Sequence, residues 1–236
     1  MSELGIIITA SWLAGFAAFV GGAIARFEGS AETEVKREII HGVIAFGGGL
    51  LVAAVAFALA PFPISVLNPA TLALTFISGG VAFCVIDARL SRRGGTVAQF
   101  MAMLMDFVPE ALSLGAVFGT NHHLGILLAA FIGAQNLPEG FNAYREIVGS
   151  RAKPRGALIA LLAISILGPI SAGIGYFFLQ NQTKLTAGIM SFAAGGILYL
   201  VFQDIAPQSG MRRHWTPPLG AVLGFVVGMV GKELIG

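Results

Sequence analysis

Apolar runs long enough to cross a bilayer follow one another along the whole chain, and that succession excludes most folds before any single residue is considered. A hydrocarbon core of about 30 Å takes about 20 residues of helix, because each residue rises about 1.5 Å. In lipid every backbone N–H and C=O must find its partner within the protein, so consecutive runs of this length read as helices. Charged or Pro/Gly-rich breaks divide the chain into helices over 4–26, 37–60, 68–90, 96–119, 123–146, 154–179, 184–207 and 216–235. The expectation is an all-α integral membrane protein, one transmembrane domain over 1–236 with eight transmembrane helices and no room for a soluble domain. Composition agrees, since 56% hydrophobic and 11% charged residues lie outside the soluble norm.

Met1-Ser2-Glu3 carries no basic residue before its apolar run, so the run is read as a first span and not as a cleaved leader. The lone Cys84 excludes an intrachain disulfide and any Cys-rich metal site. Basic residues fall in alternate loops: Arg26, Lys36 and Arg37 after helix 1, Arg89, Arg92 and Arg93 after helix 3, Arg145, Arg151, Lys153 and Arg155 after helix 5, Arg212 and Arg213 after helix 7. Of 14 basic residues only Lys184 and Lys232 lie on the other side, so the positive-inside rule puts both termini outside.

Two internal repeats stand out. In helix 2, Phe46-Gly-Gly-Gly-Leu-Leu through Ala60-Pro61 parallels Phe192-Ala-Ala-Gly-Gly-Ile through Ala206-Pro207 in helix 7. From helix 2 to helix 7 is a step of five helices, an odd number, which makes the copies antiparallel in the bilayer and predicts an inverted repeat of helices 1–3 and 6–8 around a central helix 4–5 pair. Gly15 and Gly22 of helix 1 against Gly168 and Gly175 of helix 6 point the same way. The second repeat is Asp106-Phe-Val-Pro109-Glu110 in helix 4 and Gln135-Asn136-Leu-Pro138-Glu139 in helix 5, both near mid-span.

Spacing i,i+4 sets Asp106 and Glu110 on one face of helix 4, and Gln135 and Glu139 on one face of helix 5. Each motif proline frees a carbonyl one turn earlier, at Met105 and Ala134, and kinks its helix. A carboxylate at mid-bilayer costs several kcal/mol unless protonated, hydrated or paired, yet every Lys and Arg sits in a loop or near a helix end. The simplest resolution is an exogenous cation held by Asp106, Glu110, Gln135 and Glu139, with Asn136 at the edge, an oxygen-rich set suited to a divalent ion. The competing readings are protonated acids that merely join helices, or a proton relay without metal. His41, His122, His123 and His214 lie at helix ends or in loops, and Gln203 with Asp204, one turn before Pro207, could line a cytoplasmic exit. No Gly-rich phosphate loop and no Ser/His/Asp arrangement appears, so the chain is not read as an enzyme.

Pro109-Glu110 and Gln135-Asn136-Leu137-Pro138-Glu139-Gly140 resemble the ZIP family of divalent-metal transporters, with the likeness covering helices 4–7. Helix 5 matches the family's motif closely. In helix 4, Asp106 stands where the family carries a metal-binding histidine and Phe107 where it carries asparagine. Gly168-Pro169 replaces a Glu-Pro pair in helix 6, and helix 7 reads Gln203-Asp204-Ile-Ala-Pro207-Gln208 in place of an acid-richer motif. The resemblance implies a homodimer in the lipid bilayer and alternating access, helices 1, 4, 5 and 6 sliding against a scaffold of 2, 3, 7 and 8. It implies uptake of a divalent metal (Zn²⁺, Fe²⁺ or Mn²⁺, with Cd²⁺ as a further candidate) as substrate, with no prosthetic group and no nucleic acid partner. The expected location is the cell membrane, taken as a bacterial inner membrane. The alternative is a non-transporting or regulatory homologue with a degenerate metal site.

Overall fold

Short polar side chains open several helices by accepting the first unsatisfied backbone donors. Thr33 Oγ1 accepts from Lys36 N–H at 3.2 Å, Asn68 Oδ1 from Thr71 N–H at 2.9 Å, and Asn121 Oδ1 from Leu124 N–H at 3.0 Å. The computed structural model describes residues 2–28, 33–92, 98–150, 152–211 and 214–235. Arg93, Arg151, Arg212 and Arg213 lie outside the described residues, as do positions 96 and 97 of the expected fourth helix.

Among the described residues the helical segments are α1 (Glu3–Glu28), α2 (Glu34–Val66), α3 (Pro69–Arg92), α4 (Ala98–Phe118), α5 (His122–Gly149), α6 (Pro154–Leu179), α7 (Thr183–Ser209) and α8 (Leu219–Ile235). Six of them, all but α4 and α8, are long and apolar enough to cross a membrane. No strand interrupts the described residues, only one isolated bridge between Met211 and His214. The chain is therefore a multi-pass helical membrane protein.

Helix α2 runs past the expected end at Pro61. A proline inside a helix lacks its N–H and presses on the preceding turn, and a widened turn relieves both problems. Val55–Leu59 forms such a π turn, with Ala60 N–H donating to Val55 O at 2.9 Å, and the helix continues through Pro61 to Val66. The same arrangement recurs in α7, where Val201–Ile205 is a π turn, Ala206 N–H donates to Val201 O, and Pro207 follows. Helix α8 starts at Leu219, after the expected 216, because Thr216-Pro217-Pro218 forms a turn closed by Leu219 N–H to Thr216 O at 2.9 Å.

Helix pairing follows one recurring contact. Water is absent from the bilayer core, so no hydrophobic force draws one helix to another, and small residues that let backbones touch decide the partners. Gly21 of α1 faces Leu137 O of α5, and Gly140 of α5 faces Ala18 O of α1. Gly115 of α4 faces Ala172 O of α6, and Gly175 of α6 faces Leu112 O of α4. Gly49 of α2 and Gly224 of α8 exchange contacts with Ala221 O and Phe46 O, while Gly195 of α7 and Gly79 of α3 do so with Phe76 O and Phe192 O. In each pair the contacted carbonyl lies three residues before the glycine of its own helix, and a methyl group on any of these glycines would collide with the facing oxygen. Such contacts bring Cα–H groups against carbonyl oxygens, a weak attraction added to close packing.

The result is two groups of helices. α1 packs on α5 and α6, and α4 packs on α5 and α6, whereas α2 packs on α8 and α3 on α7. The groups meet where α5 lies against α2 and α4 against α7. At one end of the bundle polar contacts tie helices together: Glu28 pairs with Arg145 at 3.1 Å and Lys36 at 3.7 Å, and His214 Nε2 lies 3.1 Å from Glu34 Oε1. His41 Nδ1 lies 2.6 Å from Gln208 O, and Asn142 Nδ2 donates to Gln208 Oε1 at 3.2 Å. At the other end His122 meets Phe118 edge-on and His123 Nδ1 lies 3.1 Å from Ile235 O.

Candidate metal centre on α4 and α5

Both proline-bearing helices stay continuous through Pro109 and Pro138. Ser113 Oγ donates to Pro109 O at 2.7 Å, one turn on in the same helix. Pro138 finds room because Gly47 of α2 faces its ring, a Cβ at Gly47 falling only 3.1 Å from Pro138 Cγ. On the opposite flank Gly140 lies on α1. The Pro138-Glu139 segment is thus held between α1 and α2.

The structure places Asp106, Glu110, Gln135, Asn136 and Glu139 all in the interior, none more than 5% exposed. Asp106 lies within electrostatic range of Glu139 and Glu110, and Glu139 within that of Glu110. Asp106 Oδ1 accepts the N–H of Phe107 at 2.7 Å. Gln135 Nε2 donates to both oxygens of Glu110, at 2.9 and 2.7 Å, which joins α5 to α4. Gln135 Oε1 and both oxygens of Glu139 are buried without a hydrogen-bond partner. Buried acceptors almost always have partners, and an unmatched carboxylate is the costliest exception. Among the described residues none of the ion pairs involves these three acids. Nor does any group of three or more His, Cys, Asp or Glu side chains among them stand ready to hold a metal.

Two residues near the acids take contacts that the sequence did not specify. Asn136 donates its Nδ2 to Ala14 O at 2.9 Å, so its amide pins α5 to α1 and only its Oδ1 remains for an ion. Phe107, 1% exposed, lays its ring between α1 and α6: a Cβ at Gly15 would lie 2.8 Å from Phe107 Cζ, and one at Gly168 2.9 Å from it. The glycines at 15 and 168 that marked a sequence parallel together form the slot for this ring. Bulk at 107 opposite paired glycines was a visible signal for it.

Toward the end expected to face the cytoplasm, Asp204 of α7 is half-buried and within electrostatic range of Asp87 of α3 and Glu146 of α5. Tyr199 Oη donates to Asp87 Oδ2 at 3.0 Å. Sequence reasoning missed Asp87 and Glu146, which lie near span ends where acids are common; the acidic meeting needs three helices. Gln203 is exposed.

No family model matches the chain. A curated relative does: the zinc transporter GufA of Myxococcus xanthus is 31% identical over 134 residues, 55% of this chain and 52% of that protein. Over that stretch the chain is similar to a zinc transporter. The chain spans about half the length of the relative it matches.

Proposed function

We propose that this protein carries a divalent metal cation across a membrane through the α4–α5 carboxylates, inward to the cytoplasm, by alternating access. The observation that carries this reading is the set of three unpartnered buried oxygens, Gln135 Oε1 and both of Glu139, next to Asp106 and Glu110. A cation held among these acids is a partner that the described residues do not supply. Oxygen ligands suit Mn²⁺ and Fe²⁺, and Zn²⁺ accepts carboxylates as well; the named activity of GufA favours Zn²⁺. The ligands are Asp106, Glu110, Gln135 and Glu139, with Asn136 Oδ1 at the edge. Asp204, with Asp87 and Glu146 near it, receives the ion on the cytoplasmic side.

In this reading α4 and α8 cross the membrane with the other six helices, both termini lie outside, and the membrane is a bacterial inner membrane. An inverted repeat relates α1–α3 to α6–α8, supported by the π turns before Pro61 and Pro207. The Gly49–Ala221 and Gly224–Phe46 contacts, mirrored by Gly195–Phe76 and Gly79–Phe192, support it too. α1, α4, α5 and α6 move as a block along α2, α3, α7 and α8 in a homodimer. The division of helix contacts into those two groups, with Gly47 against Pro138 at their boundary, supports that motion. No enzyme activity is proposed.

The test is Zn²⁺ uptake into vesicles containing the purified protein. Glu139→Gln and Glu110→Gln each abolish uptake, and parent-like uptake by both variants refutes the proposal. The lack of a ready-made group of three ligands among the described residues favours a second reading, a regulatory homologue that does not transport. Absence of binding at micromolar Zn²⁺, Mn²⁺ and Fe²⁺ selects it.

A further inference from the structure

The Gln135 amide has a donor end and an acceptor end, and the structure uses them unequally. Nε2 reaches both oxygens of Glu110 at 2.9 and 2.7 Å, while Oε1 is buried and unpartnered. The side chain is fully buried, so neither end reaches solvent. A carboxylate whose two oxygens share an amide N–H is stabilised as an anion, whereas an amide oxygen in that place would oppose like charge.

We infer that the Gln135 amide stands in for the cation in the ion-free protein and turns over to present Oε1 when a divalent cation arrives. This inference rests on the carrier reading above. A cation bound by Glu110 takes the same lone pairs that now accept from Nε2, and its charge repels the amide hydrogens. Nε2 must leave, and the carbonyl end replaces it as a ligand. The torsion that exchanges the two ends is sp³–sp² and nearly two-fold, so the turn requires no change in the backbone of α5. Gln135 is then a two-position residue: with its N–H groups on Glu110 it supplies the partner that no lysine or arginine supplies, and with its oxygen on the ion it adds a neutral ligand.

The test is difference infrared spectroscopy on the purified full-length protein in lipid, with Zn²⁺ alone as probe. The glutamine side-chain carbonyl carries a ¹³C label in one sample and none in the other. Binding shifts a label-sensitive glutamine C=O band to lower wavenumber together with the carboxylate bands, and Gln135→Met removes the glutamine change while carboxylate changes persist. Should Gln135→Met not fold, the label in the unaltered protein still decides. Among the glutamines whose side-chain burial is described Gln135 is the buried one, Gln180, Gln182, Gln203 and Gln208 being exposed or partly so. Carboxylate bands that move while the glutamine carbonyl does not overturn the inference and leave the carrier reading standing. No band change with Zn²⁺, Mn²⁺ or Fe²⁺ overturns both.

Discussion

Replacing Asn136 by leucine separates a residue that binds the ion from one that positions the helix that binds it. The substitution keeps the side chain's shape and removes one hydrogen bond, 2.9 Å from Nδ2 to Ala14 O, in a site 1% exposed. Ala14 lies inside α1, so its carbonyl keeps the helical donor one turn on and no acceptor is orphaned. The loss is therefore that of one interhelical hydrogen bond in a membrane, about 0.6 kcal/mol on average and up to ~1.7. With about 1.4 kcal/mol per factor of ten, the lower figure is roughly a threefold change in the unfolding equilibrium. Reversible unfolding of the purified protein in mixed micelles measures it, and Zn²⁺ titration of the same variant measures the site. Residues hydrogen-bonded directly to a metal ligand typically cost about 10- to 100-fold in affinity when removed, and Asn136 Nδ2 bonds Ala14 O instead. As a pin, Asn136→Leu lowers stability by about 0.6 kcal/mol, or somewhat more, and changes Zn²⁺ affinity less than about tenfold. Unchanged stability combined with a larger loss of affinity refutes the pinning role and makes Asn136 a ligand.

Gly140→Ala drives a methyl group into the Ala18 carbonyl and separates α5 from α1, with an expected cost of about 1–3 kcal/mol from overpacking, read by the same unfolding assay. Gly173→Ala, which has open space at its Cβ, is the control and is neutral or slightly stabilising. Phe107→Ala empties the slot between Gly15 and Gly168 and lowers stability by about 3–5 kcal/mol. A loss under about 1 kcal/mol would show that the ring does not hold α4 to α1 and α6.

The membrane character was legible because it depends on chain length and apolarity alone. A run such as Ile44–Ala60 has no alternative to helix once water is absent, whatever its neighbours are. The ends were less legible: the helix expected to stop at Pro61 continues because a π turn at Val55–Leu59 makes room for the ring. The intramembrane acids were legible for a related reason. Every Lys and Arg, Arg145 included, falls in a loop or near a helix end, so the absence of a counter-ion at the depth of Glu110 and Glu139 could be read from their placement along the spans.

By itself the sequence determined that this chain is a bundle of apolar helices with uncompensated carboxylates, because burial in lipid and the cost of charge there act on each segment separately. Tertiary structure alone decided which helices touch, since lipid is as apolar as the side chains and only backbone approach at residues such as Gly21 and Gly140 discriminates between partners. It also decided how the polar residues divide their roles. Gln135, Asn136 and Glu139 are near neighbours on one helix, yet Gln135 turns to α4, Asn136 to α1, and Glu139 is left with two oxygens that nothing in the described protein satisfies.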